Sequence, residues 1–115
     1  MSLFETGPVV TTVGIRELMS KGPKATAAIQ RCLDRHMSGD WGDLCDDDKQ
    51  LNLNSLDEEK EKGFTYDSLF SSYETDFGKI YIITECDRSV TTILTPEEYR
   101  NKPVRRSSPP PLQRI

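Results

Sequence analysis

The sequence predicts an α+β domain in two layers, with N-terminal helices packed on an antiparallel β-meander of three or slightly more strands. Three observations carry that prediction. Apolar side chains recur at three- and four-residue steps over 23–37, the period of an amphipathic helix. β-Branched and aromatic residues concentrate in 64–73, 79–85 and 90–94, and the short turn segments Asp76-Phe-Gly78 and Cys86-Asp-Arg-Ser89 separate them. The chain has 115 residues, 35% apolar and 30% charged, with a mean hydropathy of -0.60, so one small core under a strongly solvated surface is expected.

Residues 7–13, Gly-Pro-Val-Val-Thr-Thr-Val, are β-branched and bounded by Pro8 and Gly14, which predicts a short strand or extended arm at a sheet edge. Gly14-Ile-Arg-Glu17 opens a short helix that Gly22 closes. Pro23 suits the first turn of the next helix, whose stripe is Ala25, Ala28, Ile29, Cys32, Leu33, His36 and Met37 and whose stop is Gly39. Asp40-Trp41-Gly42-Asp43-Leu44 reads as a turn with one aromatic anchor. Asp46 or Asp47 then caps a helix running to about residue 61, with a thin stripe of Leu51, Leu53 and Leu56. Gly63 ends it. The segment 64–73 reads as an irregular strand, 79–85 as the central strand with apolar side chains on both faces, and 90–94 as the returning strand before Pro96 blocks further pairing.

Charge divides the chain more sharply than its net value of -4 implies. Residues 1–99 hold ten Lys/Arg and all 19 Asp/Glu, a net of -9, whereas 100–115 holds five basic residues and no acid. That final segment also contains four of the seven prolines, so the domain is expected to span 1–99 with a disordered, basic tail at 100–115. Residues 40–61 carry nine acids, Asp40, Asp43, Asp46, Asp47, Asp48, Asp57, Glu58, Glu59 and Glu61, against Lys49 and Lys60. Such a field repels a phosphate backbone and attracts a basic protein surface, which disfavours direct nucleic-acid binding by the body. The plainer alternative is an acidic helix face that keeps a small protein in solution. Trp41, between Gly39 and Gly42, is either the lid of the core or a contact point for a partner, and packing is the stronger expectation.

The longest apolar run is four residues, Ile80 to Ile83, too short to span a membrane. Met1-Ser-Leu-Phe-Glu5 lacks the basic and apolar regions of a secretory signal. Cys32, Cys45 and Cys86 form no CxxC pair and leave one thiol over, which favours a reduced, cytoplasmic compartment.

Two segments, Arg35-His-Met-Ser-Gly-Asp-Trp-Gly-Asp-Leu44 and Gly78-Lys-Ile-Tyr-Ile-Ile-Thr-Glu-Cys-Asp-Arg-Ser-Val-Thr-Thr-Ile-Leu-Thr-Pro-Glu-Glu-Tyr99, together resemble a widespread family of small bacterial proteins. That family is carried by plasmids, phages and other mobile elements, and its members go under the description "plasmid-related protein". The resemblance covers about Gly7 to Tyr99 and implies a mobile-element origin without supplying an activity. The basic, proline-rich extension after Tyr99 departs from the family pattern.

Catalytic and metal chemistry have few carriers. His36 is the sole histidine, which excludes a multi-histidine metal site, and its place beside Cys32 on a helix stripe fits a packed or capping residue better than a ligand. A calcium loop beginning at Asp43 would need glycine where Asp48 stands, and one beginning at Asp46 would need it where Leu51 stands. No GxGxxG, GxxxxGK[ST] or GxSxG occurs, so no nucleotide or other cofactor is expected. The cluster Thr84-Glu-Cys-Asp-Arg-Ser-Val-Thr-Thr92 is the one place where a kit for RNA cleavage is conceivable. There His36, Glu85, Arg88 and Thr91 would act as acid, base and phosphate stabiliser, in a helix-plus-meander arrangement loosely like the RelE-type ribonuclease toxins. The alternative is that Asp87, Ser89 and Thr91 satisfy turn backbone groups while Arg88 pairs with an acid. The leading expectation is a non-enzymatic adaptor or inhibitor that meets a basic protein partner through Asp40, Trp41, Asp43, Asp46, Asp47 and Asp48, the carboxylates standing where phosphates would.

Overall fold

A computed structural model describes residues 3–101. The elements are β1 (Val9–Thr11), α1 (Val13–Met19), α2 (Pro23–Met37), α3 (Asp46–Lys62), β2 (Leu69–Thr75), β3 (Gly78–Thr84), β4 (Thr91–Leu94) and α4 (Pro96–Asn101). The fold is α+β, around one four-stranded sheet of order β1-β4-β3-β2. β2, β3 and β4 form the expected meander, in which Ser71 faces Ile82 and Ile82 faces Ile93. The sheet is nevertheless not purely antiparallel, because β1 pairs with β4 in parallel, Val9 opposite Thr91 and Thr11 opposite Ile93. β4 had one unpaired edge, and the extended arm supplies it. The Thr91 N–H donates to the Pro8 carbonyl at 3.0 Å and the Thr12 N–H to the Ile93 carbonyl at 3.2 Å, extending the ladder at both ends.

Alternation along the strands produces two buried faces. One carries Ile80 and Ile82 of β3, Tyr73 of β2 and Ile93 of β4 against Ile15 of α1 and Ile29 and Cys32 of α2. The other carries Phe70, Ile83 and Leu94 with Tyr81, and it is covered by Leu44 and by Tyr99 of α4. The two-layer arrangement thus acquires a partial third layer, which is why β3 reads apolar on both faces. α4 was not expected from the sequence. Its start is a capping box at Thr95-Pro-Glu-Glu98: the Glu98 carboxylate accepts from the Thr95 N–H at 3.0 Å, and Thr95 Oγ1 accepts from the Glu98 N–H at 3.3 Å. Pro96 begins this helix as well as ending the strand. α4 also takes in Arg100 and Asn101 from the segment expected to be disordered, and the rest of that segment, 102–115, lies outside the described residues.

α2 has the expected bounds, and its stripe of Ala25, Ile29, Cys32 and His36 is buried. α3 differs from expectation. Its N-cap is Cys45, so Asp46, Asp47 and Asp48 all stand in the first turn, where the helix dipole favours them. The leucine stripe does not face the core: Leu51 and Leu53 are 45% and 46% exposed, and only Leu56 is half-buried. Residues two apart on a helix lie on opposite sides, so Leu51 and Leu53 never shared a face. The buried side chains are Asn52 and Ser55, three residues apart. Asn52 reaches the outer edge of β2, donating to the Phe70 carbonyl at 2.7 Å and accepting from the Phe70 N–H at 3.1 Å. Two residues on, Ser72 pairs with the Trp41–Asp43 turn, its N–H donating to the Trp41 carbonyl and its carbonyl accepting from the Asp43 N–H. Side chain and turn together close an edge that would otherwise invite another strand.

Candidate functional site

α2 delivers His36 under the sheet at the level of Ser71 on β2, Thr84 on β3 and Thr91 on β4, the last two directly opposite each other in register. The imidazole has no accessible surface. Its Nδ1 lies 2.5 Å from Ser71 Oγ and its Nε2 2.9 Å from Thr84 Oγ1. Thr84 Oγ1 is 2.7 Å from Thr91 Oγ1, and the Thr91 hydroxyl donates to the Thr6 carbonyl at 2.9 Å. The protons follow from this order. Thr91 spends its one O–H on Thr6, so Thr84 donates to Thr91, His36 donates from Nε2 to Thr84, and Ser71 donates to Nδ1. The network assigns a neutral ring with the proton on Nε2. Burial, with the positive charge of Arg88 behind it, pushes the His36 pKa down to about 3 and favours the same neutral form. Phe4 and Trp41 close over the ring edge-on, at centroid distances of 5.4 and 5.7 Å.

Arg88 occupies the β3–β4 turn at a φ of 60°, a left-handed conformation held by its own N–H donating to the Glu85 carbonyl at 2.8 Å. Its guanidinium is 4% exposed and reaches back to α3. There it meets Glu59 Oε1 at 3.0 and 3.1 Å and Ser55 Oγ at 3.2 Å, with the Asp67 and Glu85 carbonyls at 3.4 Å. Arg88 therefore clamps α3 to the turn. Asp87 accepts from the Ser89 N–H at 3.0 Å, so the turn is satisfied in the way its residue types predict.

Of the four residues in the RNA-cleavage kit, His36, Arg88 and Thr91 are buried, and Glu85 is half-buried with its backbone engaged in the turn. They do not line an open cleft. A groove of about 380 Å³ opens elsewhere, between α2 and the β2–β3 turn, and none of the four borders it. The sequence signal that singled out Thr84–Thr92 and His36 thus marks a polar spine through the core. Ser71, the remaining member, carried no signal because a serine in a strand gives no indication of what it faces.

The acidic candidates divide by environment. Trp41 is 4% exposed, stacked on Phe4 at 6.3 Å, so it is a core residue and offers no contact surface. Asp40 pairs with Arg35 at 2.7 Å, and that hydrogen bond holds its carboxyl below the usual range. The Asp40 carbonyl also accepts from the Tyr73 hydroxyl at 2.7 Å. Asp43 pairs with Lys79 at 3.4 Å. Asp48 is half-buried on the body side of α3, whereas Asp46 and Asp47 are exposed and form no ion pair among the described residues. At 100° per residue, Asp46, Asp47, Gln50, Asn54, Asp57 and Glu61 fall on one outward stripe of α3, and all six are exposed. No lysine or arginine interrupts it. Glu58 borders the stripe and is drawn toward the body by the Thr65 hydroxyl at 2.7 Å.

No helix among the described residues is long and apolar enough to cross a membrane, and none of their His, Cys, Asp and Glu side chains group as a metal site. Comparison with protein-family models, curated proteins and solved structures gives no match.

Proposed function

We propose that the protein is a small acidic adaptor or inhibitor, cytoplasmic and of mobile-element origin, that binds a basic surface on a host or element protein. The contact is the outward stripe of α3. One observation carries this reading: four exposed carboxylates, Asp46, Asp47, Asp57 and Glu61, share an outward stripe of α3 that itself holds no lysine or arginine, with the exposed cation Lys60 at its border. From Asp46 to Glu61 the row extends about 22 Å along α3, long enough to stand in for part of a phosphate backbone before a nucleic-acid-binding protein. Its attraction reaches roughly one Debye length, about 8 Å at physiological ionic strength, so binding weakens steeply as salt rises. The ribonuclease alternative needs His36 to exchange protons with a substrate, and the fully buried, doubly hydrogen-bonded ring does not favour it.

The test is a pull-down from bacterial lysate at low and physiological salt, with the wild type and with an Asp47→Lys/Asp57→Lys/Glu61→Lys variant. All three positions are solvated, so circular dichroism should report an unchanged fold. A partner identified by mass spectrometry should bind the variant at least tenfold more weakly at low salt, and nucleic acid should compete for it. Equal affinity for the folded variant would reduce the stripe to a solubility feature.

A further inference from the structure

We propose that the groove between α2 and the β2–β3 turn binds a small amphoteric molecule of free amino acid or dipeptide size. Its volume, about 380 Å³, lies within the range of small-ligand sites. Its construction separates charge. Lys24, Arg31 and Arg35 line the α2 wall, while Glu74 at the end of β2 and Asp76 in the β2–β3 turn line the opposite one. Two of these charges are already committed, Arg35 to Asp40 at 2.7 Å and Glu74 to Lys79 at 3.5 Å. What remains is a pair of cations, Lys24 and Arg31, facing one carboxylate, Asp76, and none of the three forms an ion pair among the described residues.

Between these walls Ala27, Ala28 and Phe77 present apolar surface beside Thr75. Ala27 and Ala28 occupy the turn of α2 between Lys24 and Arg31, and Phe77 stands opposite, half-buried. Longer side chains at Ala27 and Ala28 would fill the space, so the groove exists because those positions end at Cβ. The floor adds the Cys32 thiol, which is buried, and burial raises its pKa. An anionic group at Arg31 and Lys24, an apolar stem on Ala27, Ala28 and Phe77, and an ammonium at Asp76 match all three parts. A polyanion matches only the first, and the negative body repels it.

The experiment titrates the full, ¹⁵N-labelled chain with the dipeptide alanylphenylalanine, with its C-terminal amide, with its N-acetyl form and with inorganic phosphate. The dipeptide should give saturable amide shifts at Ala27, Ala28, Arg31 and Phe77. Its amide, lacking the carboxylate, should bind about tenfold more weakly, the loss of one charge-assisted hydrogen bond. The N-acetyl form and phosphate should each bind severalfold more weakly than the dipeptide. Arg31→Gln should cost about tenfold, Asp76→Asn severalfold, and Ala27→Leu, which alters an exposed helix position and no charge, should abolish the shifts while the remaining spectrum is unchanged. Absence of saturation by about 50 mM dipeptide, shifts centred elsewhere, or indifference to Ala27→Leu would overturn the site. Phosphate or the N-acetyl form binding as tightly as the dipeptide would overturn the amphoteric class and leave a simple anion site.

Discussion

Replacing Asn52 with leucine separates two accounts of how α3 is held to the sheet. If apolar burial held it, as the leucines of its sequence imply, a further leucine of similar volume at a fully buried position would stabilise the protein by about 1.5–3 kcal/mol. The structure argues for the opposite sign. Asn52 serves both backbone groups of Phe70, at 2.7 and 3.1 Å, on the outer edge of β2. Depriving two buried backbone groups of that partner costs about 1–3 kcal/mol each, which outweighs the apolar gain and leaves a net loss of about 2 kcal/mol. Against a total stability of roughly 5–15 kcal/mol for a domain of this size, such a loss is readily measured. Urea unfolding followed by the fluorescence of Trp41, the sole tryptophan and 4% exposed, provides the assay. Leu51→Ala and Leu53→Ala are the controls and should each stay within about 0.5 kcal/mol of wild type, since both side chains are nearly half exposed. An Asn52→Leu variant as stable as wild type would refute the edge-capping argument.

Three further outcomes follow from the core and the caps. The folded state keeps His36 neutral down to about pH 3, whereas the unfolded chain protonates it near 6.5. Stability is therefore complete above 6.5 and falls by about 1.4 kcal/mol per pH unit below it. Asp40, Glu58 and Glu98, whose pKa values are lowered, add a loss of the same sign only below about 4.5, so a urea midpoint that stays flat between pH 7 and 5, or a slope that persists in His36→Gln, would contradict the assignment. Glu98 accepts from the Thr12 hydroxyl at 2.5 Å, the Gly14 N–H at 2.9 Å and the Thr95 N–H at 3.0 Å, tying α4 to the start of α1. Glu98→Ala should lower stability by about 2 kcal/mol and the Tm by about 10 °C, read by calorimetry. Finally, messenger RNA incubated with the purified protein, with or without ribosomes, should remain intact on a denaturing gel. Cleavage that disappears in both His36→Ala and Arg88→Ala would establish the ribonuclease instead.

The amino-acid order by itself determined the α+β class, the bounds of α2 and the existence of the three-strand meander, because each depends on short-range signals. Side-chain period, Gly and Pro punctuation and β-branched runs all act within a few residues. The capping box at Thr95–Glu98 was equally local, and it announces α4 once the Pro96 that ends β4 is read also as the first residue of a helix. Tertiary structure alone decided the rest. Whether the arm at Val9–Thr11 joins β4 in parallel depends on which strand edge the meander leaves open, and no neighbouring residue encodes that. The role of Arg88 depends on α3 passing within reach of the turn, 29 residues away in sequence, so a cluster that resembled catalytic chemistry became a clamp. The same holds for His36, Thr84 and Thr91: their hydroxyls and ring are ordinary in sequence, and their meeting under the sheet is set by strand register. The acidic face required both levels, because the sequence supplies the carboxylates of 40–61, whereas the pairing of Asp43 and Glu59 with cations distant in sequence, beside the local Asp40–Arg35 pair, sorts the committed charges from those exposed on α3.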